Sequence, residues 1–512
     1  MSDIYTGPTY NLDMTGKAVA AQANKGNADA FKKYGLFSLI FAVVYTFCLY
    51  KNHSGITYPI YMLVTLTLLH FLRKKDGLTL IKSKKGSSVL GVFYVTSLML
   101  LSIHKCMSTN GVLLWLDSLA IILLLFSFVL YLYMDTTDWD ILGWLAGIVL
   151  SIIMPISRFY EPFKDMSAWC KSRKGEGDSE KKRNIGAAGI GLLCAIPVLL
   201  IVLCLLGSAD VVFNRLLEKI FKAIVLPEYF FDYIGIVIVF VFAFLSAYLV
   251  PNALDRGDVK VAAKGEGKFN PVAAITFTAI IGSVYVVFSL IQVLYLFTGS
   301  MGLPKGVSYA QYAHEGFYQL LAVCILNVAM VSICTRLFKR SKTLSTILLI
   351  IGGCTYIMIA SSAMRMVMYI RVYQLTFLRL FVLWFLAVLC LWLAFLLVSV
   401  INRNFPIFKA CMVAVTVAYI GFVFANPDYQ IAKYDLQAVA DGKVDDYKDV
   451  DNYIVENLST DAAPALIGND KLLHQFQLNM ENKWGYISKR YDAVRGFNFS
   501  YNRAKKLFGK FK

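Results

Sequence analysis

Eight side chains in this sequence carry most of its potential for chemistry: Asp210, His314, Glu315, Arg365, Arg371, Arg379, Asn426 and Asp428. They sit in four stretches: GSADVVFNRL (207–216), YAHEGFYQL (312–320), MRMVMYIRVYQLTFLRLFVLWF (364–385) and ANPDYQ (425–430). In each, a polar group stands at the edge of an apolar run. Ionisable residues placed there are costly, so they face a protein interior and find partners. Two chemistries follow. The arginines pair with Asp210 and Glu315, or their planar forks hold an anionic group such as a phosphate. In the second case Glu315 or Asp210 is the candidate general base and His314 a proton shuttle. Plainer readings stand beside these. Arg365 and Arg379 suit helix-end anchors that snorkel to the headgroups. Arg371, between Tyr369 and Tyr373, suits an interfacial anchor. Asp210 suits a cap for the helix that follows. On one continuous helix Arg365 and Arg379 share a face and Arg371 points elsewhere.

The elements that position these residues are set by hydropathy. The chain has 512 residues, of which 58% are hydrophobic and only 16% charged, and its mean hydropathy is +0.61. A soluble domain is nearer half apolar and a quarter charged. The fold class is therefore all-α: a polytopic transmembrane helical bundle with a small extracytoplasmic C-terminal domain. Apolar runs lie near 35–50, 57–72, 88–104, 112–134, 139–156, 185–207, 233–252, 271–298, 316–335, 343–362, 376–401 and 407–425, which predicts 11 to 12 spans. The domains read as a flexible cytoplasmic tail (1–33), a first transmembrane group (34–184), a transmembrane core (185–425) and a soluble C-terminal domain (426–512).

Net charge is +17. A balance of that size often signals nucleic acid, but here the basic residues sit in short loops between spans, so it reports topology. Loop 73–87 has six Lys/Arg, 157–184 has eight, and 253–270 and 336–342 have four each. These loops are expected in the cytoplasm. The acidic turn MDTTDWD (134–140) is expected outside, yet three apolar segments separate two cytoplasmic loops. Either 88–104 or 139–156 is then not a full crossing. VVFNRLLEKIFKAI (211–224) has one apolar face and predicts a helix lying in the interface. The final piece is acidic from 426 to 470, with ten Asp/Glu against three Lys/Arg, and basic from 471 to 512, with ten Lys/Arg against two. Its basic end suits anionic headgroups.

Several chemistries find no support. The ten cysteines show no Cys-x-x-Cys and six lie in apolar runs, where a thiol is a small hydrophobe. The five histidines form no helical pair, so no metal site is expected. There is no HExxH, P-loop or Gly-x-Ser-x-Gly, and no cofactor is expected.

LLGSADVVFNRLL (205–217), YAHEGFYQLLAVCILN (312–327), YIRVYQLTFLRLFVLW (369–384), ANPDYQIAKYDL (425–436) and STDAAPAL (459–466) occur in that order. Together they resemble the bacterial multi-pass membrane proteins of the domain of unknown function 4173 family, related to family 4153. The resemblance covers about 185–470. It implies a plasma (inner) membrane protein with a trailing extracytoplasmic segment, and no reaction. Gln374 stands where that family usually has glycine, which argues against a tight turn there. Asp435 stands where it usually has asparagine, and an ionised Asp cannot donate a hydrogen bond. The expected partners are the lipid bilayer and an anionic lipid or envelope component, with no nucleic acid. The leading functional expectation is a structural, sensory or partner-binding envelope component in which the polar cluster clamps the C-terminal piece. The alternatives are a transporter of a small or anionic solute and an enzyme acting on a lipid-linked envelope substrate.

Overall fold

The computed structural model describes residues 26–81, 87–137, 141–173, 230–261, 267–297, 309–402, 404–443, 447–492 and 494–509, with Trp139 and a few positions between 195 and 215. The helices among them are α1 (Ala28–Leu49), α2 (Thr57–Lys75), α3 (Ser88–Met107), α4 (Gly111–Tyr133), α5 (Ile141–Ile156), α6 (Glu161–Arg173), α7 (Phe230–Asp255), α8 (Pro271–Phe297), α9 (Tyr309–Leu337), α10 (Lys342–Tyr373), α11 (Phe377–Ile401) and α12 (Ile407–Phe424). The C-terminal segment follows with α13 (Pro427–Ala440), α14 (Tyr447–Asn457), a 3-10 turn (Thr460–Leu466), α15 (Asp470–Asp492), a second 3-10 turn (Val494–Gly496) and α16 (Phe499–Phe508). No β-strand occurs among the described residues, whose one bridge joins Phe269 and Phe338. The protein is an all-α polytopic membrane protein.

Nine helices among the described residues are long and apolar enough to cross a membrane: α1, α3, α4 and α7 to α12. α5 and α6 meet at a 57° bend, so they form a broken tenth span or a re-entrant loop. Of the expected 11 to 12 spans, nine, or ten with the bent pair, are seen among the described residues, and the difference falls at two places. α2 covers the expected 57–72 segment but ends in Arg73, Lys74 and Lys75 and is not among the nine. The expected span at 185–207 and interfacial helix at 211–224 lie, but for a few positions, outside the described residues.

Contacts divide the chain into two compact units. The first comprises residues 1–50, 64–80 and 149–259. Here α1 packs on α7 and α6, with Tyr34 edge-on to Tyr248 at 6.0 Å and Phe31 against Trp169 at 5.4 Å. A charged knot ties its helix ends. Lys33 reaches Asp76 and Asp255 at 2.8 Å each, Arg256 reaches Glu161 at 3.0 Å, and the Tyr248 hydroxyl donates to Asp165 at 2.7 Å.

The second unit comprises residues 51–63, 81–148 and 260–512. It holds the spans α3, α4 and α8 to α12 with the whole C-terminal segment. α3 and α4 form a complete antiparallel pair of 20 and 23 residues. Tyr131 near the end of α4 donates to the Ser87 carbonyl just before α3. Residues 134–137, the described start of the acidic turn, therefore leave α4 at the end nearest Ser87, opposite the Ser108–Asn110 connection. Trp144, just beyond that turn, stacks on Phe408 near the start of α12 with centroids 4.6 Å apart. The expectation that basic loop and acidic turn lie on opposite sides is corrected. Both α3 and α4 are long enough to cross, and the irregular element is the bent α5–α6 pair.

Candidate functional site

The α3–α4 connection, Ser108–Thr109–Asn110, is short and polar, and all three residues are buried. Its polar groups are satisfied from far along the chain. Asp461, in the first turn of the 3-10 segment, accepts from Ser108 Oγ at 2.5 Å, Thr109 N at 2.9 Å and Thr109 Oγ1 at 3.0 Å, and also from Ser500 Oγ. Asp428 accepts both Asn110 Nδ2 contacts, at 2.9 and 3.0 Å, with Ser459 N at 3.0 Å and Ser459 Oγ at 2.6 Å. Asp428 is 1% exposed and Asp461 4%. Two carboxylates thus fasten the C-terminal segment to the end of the α3–α4 pair. Burial raises the proton affinity of Asp428 most, and the Asp461 charge raises it further; the donors on Ser459 and Asn110 only partly oppose this.

Three asparagines act twice in this site. Asn110 Oδ1 caps α4 through Val112 N and Leu113 N while its Nδ2 holds Asp428. Asn426 Oδ1 caps α13 through Tyr429 N while its Nδ2 reaches the Asp461 carbonyl. Asn498 Oδ1 caps α16 through Tyr501 N while its Nδ2 donates to the Ser108 carbonyl at 2.8 Å. Asp, Ser and Thr cap helices as well, but only the carboxamide both accepts for its own helix and donates two hydrogen bonds elsewhere. Asn426 also has φ +53, a left-handed conformation that asparagine tolerates.

A second contact holds the turn between α10 and α11. Gln374 has φ +68 and ψ 173, a region essentially reserved for glycine. A tight turn is therefore present despite the side chain. Its neighbours impose it. Arg379 donates to the Tyr373 carbonyl at 2.5 Å and to that of Gln374, and lies 4.2 Å over the Tyr369 ring. Asp435 Oδ1 accepts Leu375 N at 2.9 Å, and the Tyr453 hydroxyl accepts Phe377 N at 2.9 Å. Among the described residues nothing hydrogen-bonds Asp435 Oδ2, although it is buried. Burial lifts the Asp435 carboxyl to about 6, against the opposing Leu375 N–H and Arg379 charge. Gln374→Gly is expected to stabilise the protein by about 1 kcal/mol, by removing the side chain from that conformation. The check is the melting temperature in detergent, where an unchanged or lower value sinks the strain argument.

Deeper, between α3, α4 and α12, lies a buried polar cluster. His104 Nδ1 is 2.7 Å from Asp117 Oδ2, and the Tyr419 hydroxyl donates to Asp117 Oδ1 at 2.8 Å. Lys105, fully buried, donates to the Leu114 carbonyl at 2.8 Å and to Ser118 Oγ at 2.5 Å, with its ammonium 4.3 Å from the centre of the Tyr58 ring. Tyr419 also lines an apolar cleft of about 690 Å³ with Leu116, Phe385, Trp392 and Phe408.

A profile of conserved sequence decides the relationship: the model of the domain of unknown function DUF4153 matches residues 90–469, well over half of the chain. The chain belongs to the DUF4153 family. No curated protein and no solved structure matches it. The DUF4153 region runs from α3 past the first 3-10 turn. It contains Asn110, Asp117, Asp428, Asp435 and Asp461, while Asn498 and Ser500 lie beyond it.

The eight residues singled out from sequence are dispersed. Asn426, Asp428 and Arg379 belong to the second unit's C-terminal attachment. Arg379 caps carbonyls, and no carboxylate forms a salt bridge with it among the described residues. Arg365 is partly buried in α10 and Arg371 is exposed at its end. Asp210, in the first unit's stretch, caps a helical turn through Val212 N at 2.6 Å and Phe213 N at 3.0 Å. His314 and Glu315 fall in α9, and their side chains lie outside the described residues. Sequence reasoning missed His104, Lys105, Asn110, Asp117, Asp461 and Asn498. Asp117 carried a signal, being a carboxylate within GVLLWLDSLAIILLLF.

Proposed function

We propose that this DUF4153 protein is a non-catalytic, partner-binding component of the bacterial plasma membrane, whose second bundle holds the α13–α16 segment in one fixed pose. The C-terminal segment is placed on the extracytoplasmic side and the N-terminus in the cytoplasm, in keeping with the basic loops. The observation that carries the reading is the use of both buried carboxylates. The oxygens of Asp428 and Asp461 are engaged by Ser, Thr, Asn and backbone donors, so they act as fasteners, whereas a catalytic acid or base needs an atom left for substrate. Beside the clamp, a cleft of about 710 Å³ lined by Asn110, Phe377, Tyr453, Asn457, Ser459 and Met480 offers a surface for a partner.

The His104–Asp117–Tyr419 cluster favours one alternative, a proton-linked transporter, because ionisable groups within spans mark ion pathways. One pair of measurements separates the two. A photoreactive residue at Tyr434, which is 44% exposed, is expected to form a discrete adduct with an envelope protein in cells, and Asp461→Ala to abolish it. Proteoliposomes are expected to hold an imposed pH gradient. A gradient that the protein dissipates, and that Asp117→Asn restores, would overturn the scaffold reading in favour of transport.

A further inference from the structure

The second 3-10 turn and α16 carry an apolar tip that the described residues leave exposed. Val494 is 85% exposed, Phe499 53% and Phe497 38%, and the two phenylalanine rings meet edge-on at 5.2 Å. Apolar side chains displayed together on an otherwise polar segment mark a contact surface.

The position of this tip identifies its medium. The backbone between its side chains is pinned to the ends of helices at the membrane boundary. Asn498 Nδ2 holds the carbonyl of Ser108, the C-cap of span α3. The Phe497 carbonyl accepts Ile56 N at 3.0 Å, one residue before α2, and Asn52 and Thr57 reach the Arg495 carbonyl at 3.3 Å each. Gly55 has φ +116, and a Cβ there would meet the Arg495 carbonyl oxygen at 2.7 Å. The close seat of the turn therefore requires glycine. Tip and span end are thus at one depth, where the hydrocarbon gives way to headgroups.

The charge pattern agrees. From 493 to 512 the chain has six Lys/Arg and no Asp/Glu. On α16, residues 499, 503 and 506 recur at i, i+4 and i+7, which puts Phe499, Arg503 and Lys506 on one face. Ala504 is buried on the other side, while Arg503 and Lys506 are exposed. An apolar wedge followed by a basic stripe is the pattern of an element lying in an anionic interface.

We propose that Val494, Phe497 and Phe499 insert into the headgroup boundary of the bilayer, with Arg503 and Lys506 on anionic headgroups. The segment is thereby anchored at its far end as well as through the carboxylates. This inference is independent of whether the bundle is a scaffold or a transporter.

The test uses the full chain in nanodiscs of phosphatidylcholine and phosphatidylglycerol containing a lipid spin-labelled near the top of the acyl chain. An environment-sensitive fluorescent amino acid replaces Val494 or, as a control, Leu478, which is exposed on α15. Emission from position 494 is expected to be blue-shifted and quenched several-fold more than emission from 478. The double substitution Arg503→Glu with Lys506→Glu should reduce quenching at 494 in these discs and leave it unchanged in discs of phosphatidylcholine alone. Equal quenching at 494 and 478 overturns insertion. Unaltered quenching after charge reversal overturns the headgroup contact.

Discussion

Asp461→Ala will lower stability by about 3–4 kcal/mol, because four donors lose one buried acceptor together. Those donors are Ser108 Oγ, Thr109 N, Thr109 Oγ1 and Ser500 Oγ. Water cannot easily replace the carboxylate, since Ser108 and Thr109 are 2% and 3% exposed. The loss is local in its first consequence. The variant should be cut by protease between 426 and 470 while the spans stay intact, and its melting transition in detergent should move down. Asp461→Asn should fall between the two, since one oxygen still accepts while the amide nitrogen faces a donor. A change under about 1 kcal/mol for Asp461→Ala, with unchanged proteolysis, would show that the segment is held elsewhere.

The second large effect is a dependence on pH at Asp435. Its carboxyl is lifted to about 6 in the folded protein, chiefly by burial, against about 4 in an unfolded chain. A carboxyl with the higher value in the folded state binds its proton more tightly there. Stability is therefore gained as pH falls from about 6 to about 4 and lost as pH rises through the same window. The full difference is about 3 kcal/mol. Asp435→Asn carries no titrating proton, so its stability relative to wild type should improve by about that amount between acid and neutral pH. Asp428 shifts in the same direction and remains in the variant, so the slope should shrink without vanishing. Parallel curves for wild type and Asp435→Asn would refute the assignment.

Much of the bundle was legible from residues alone because hydrocarbon imposes a simple code. Runs such as FLRLFVLWFLAVLCLWLAFLLVSVI become α11 whatever their neighbours do. Asn426 and Asp428 stood out as polar groups at the end of such a run, and both make hydrogen bonds to the C-terminal segment. The partners were not. Asn110 lies 318 residues from Asp428, and Asn498 lies 390 from Ser108. No periodicity links positions that far apart. Asp461 was hidden differently, in a polar segment where one more carboxylate attracts no notice. At Gln374 the residue type pointed away from the observed backbone, since Arg379 and Asp435 impose from outside what a glycine would permit from within. The charge count left open whether 88–104 or 139–156 fails to cross, and the 57° bend between α5 and α6, which no count of charges can locate, puts the irregularity in the second.

The double use of asparagine has a consequence for biosynthesis. During synthesis the α3–α4 hairpin is complete when about a quarter of the chain has been made, yet the acceptor of Asn110 comes at residue 428 and the donor to the Ser108 carbonyl at residue 498. Domains generally form as their residues emerge, but this loop waits for partners that lie 318 and 390 residues further along. Helix caps at 110, 426 and 498 become cross-links only then. A chain that stops short of residue 498 would lack the donor to the Ser108 carbonyl while Asp428 and Asp461 still hold the rest of the connection. The N-cap of α16 thus adds the latest of these contacts to a bundle end that Asp428 and Asp461 already hold.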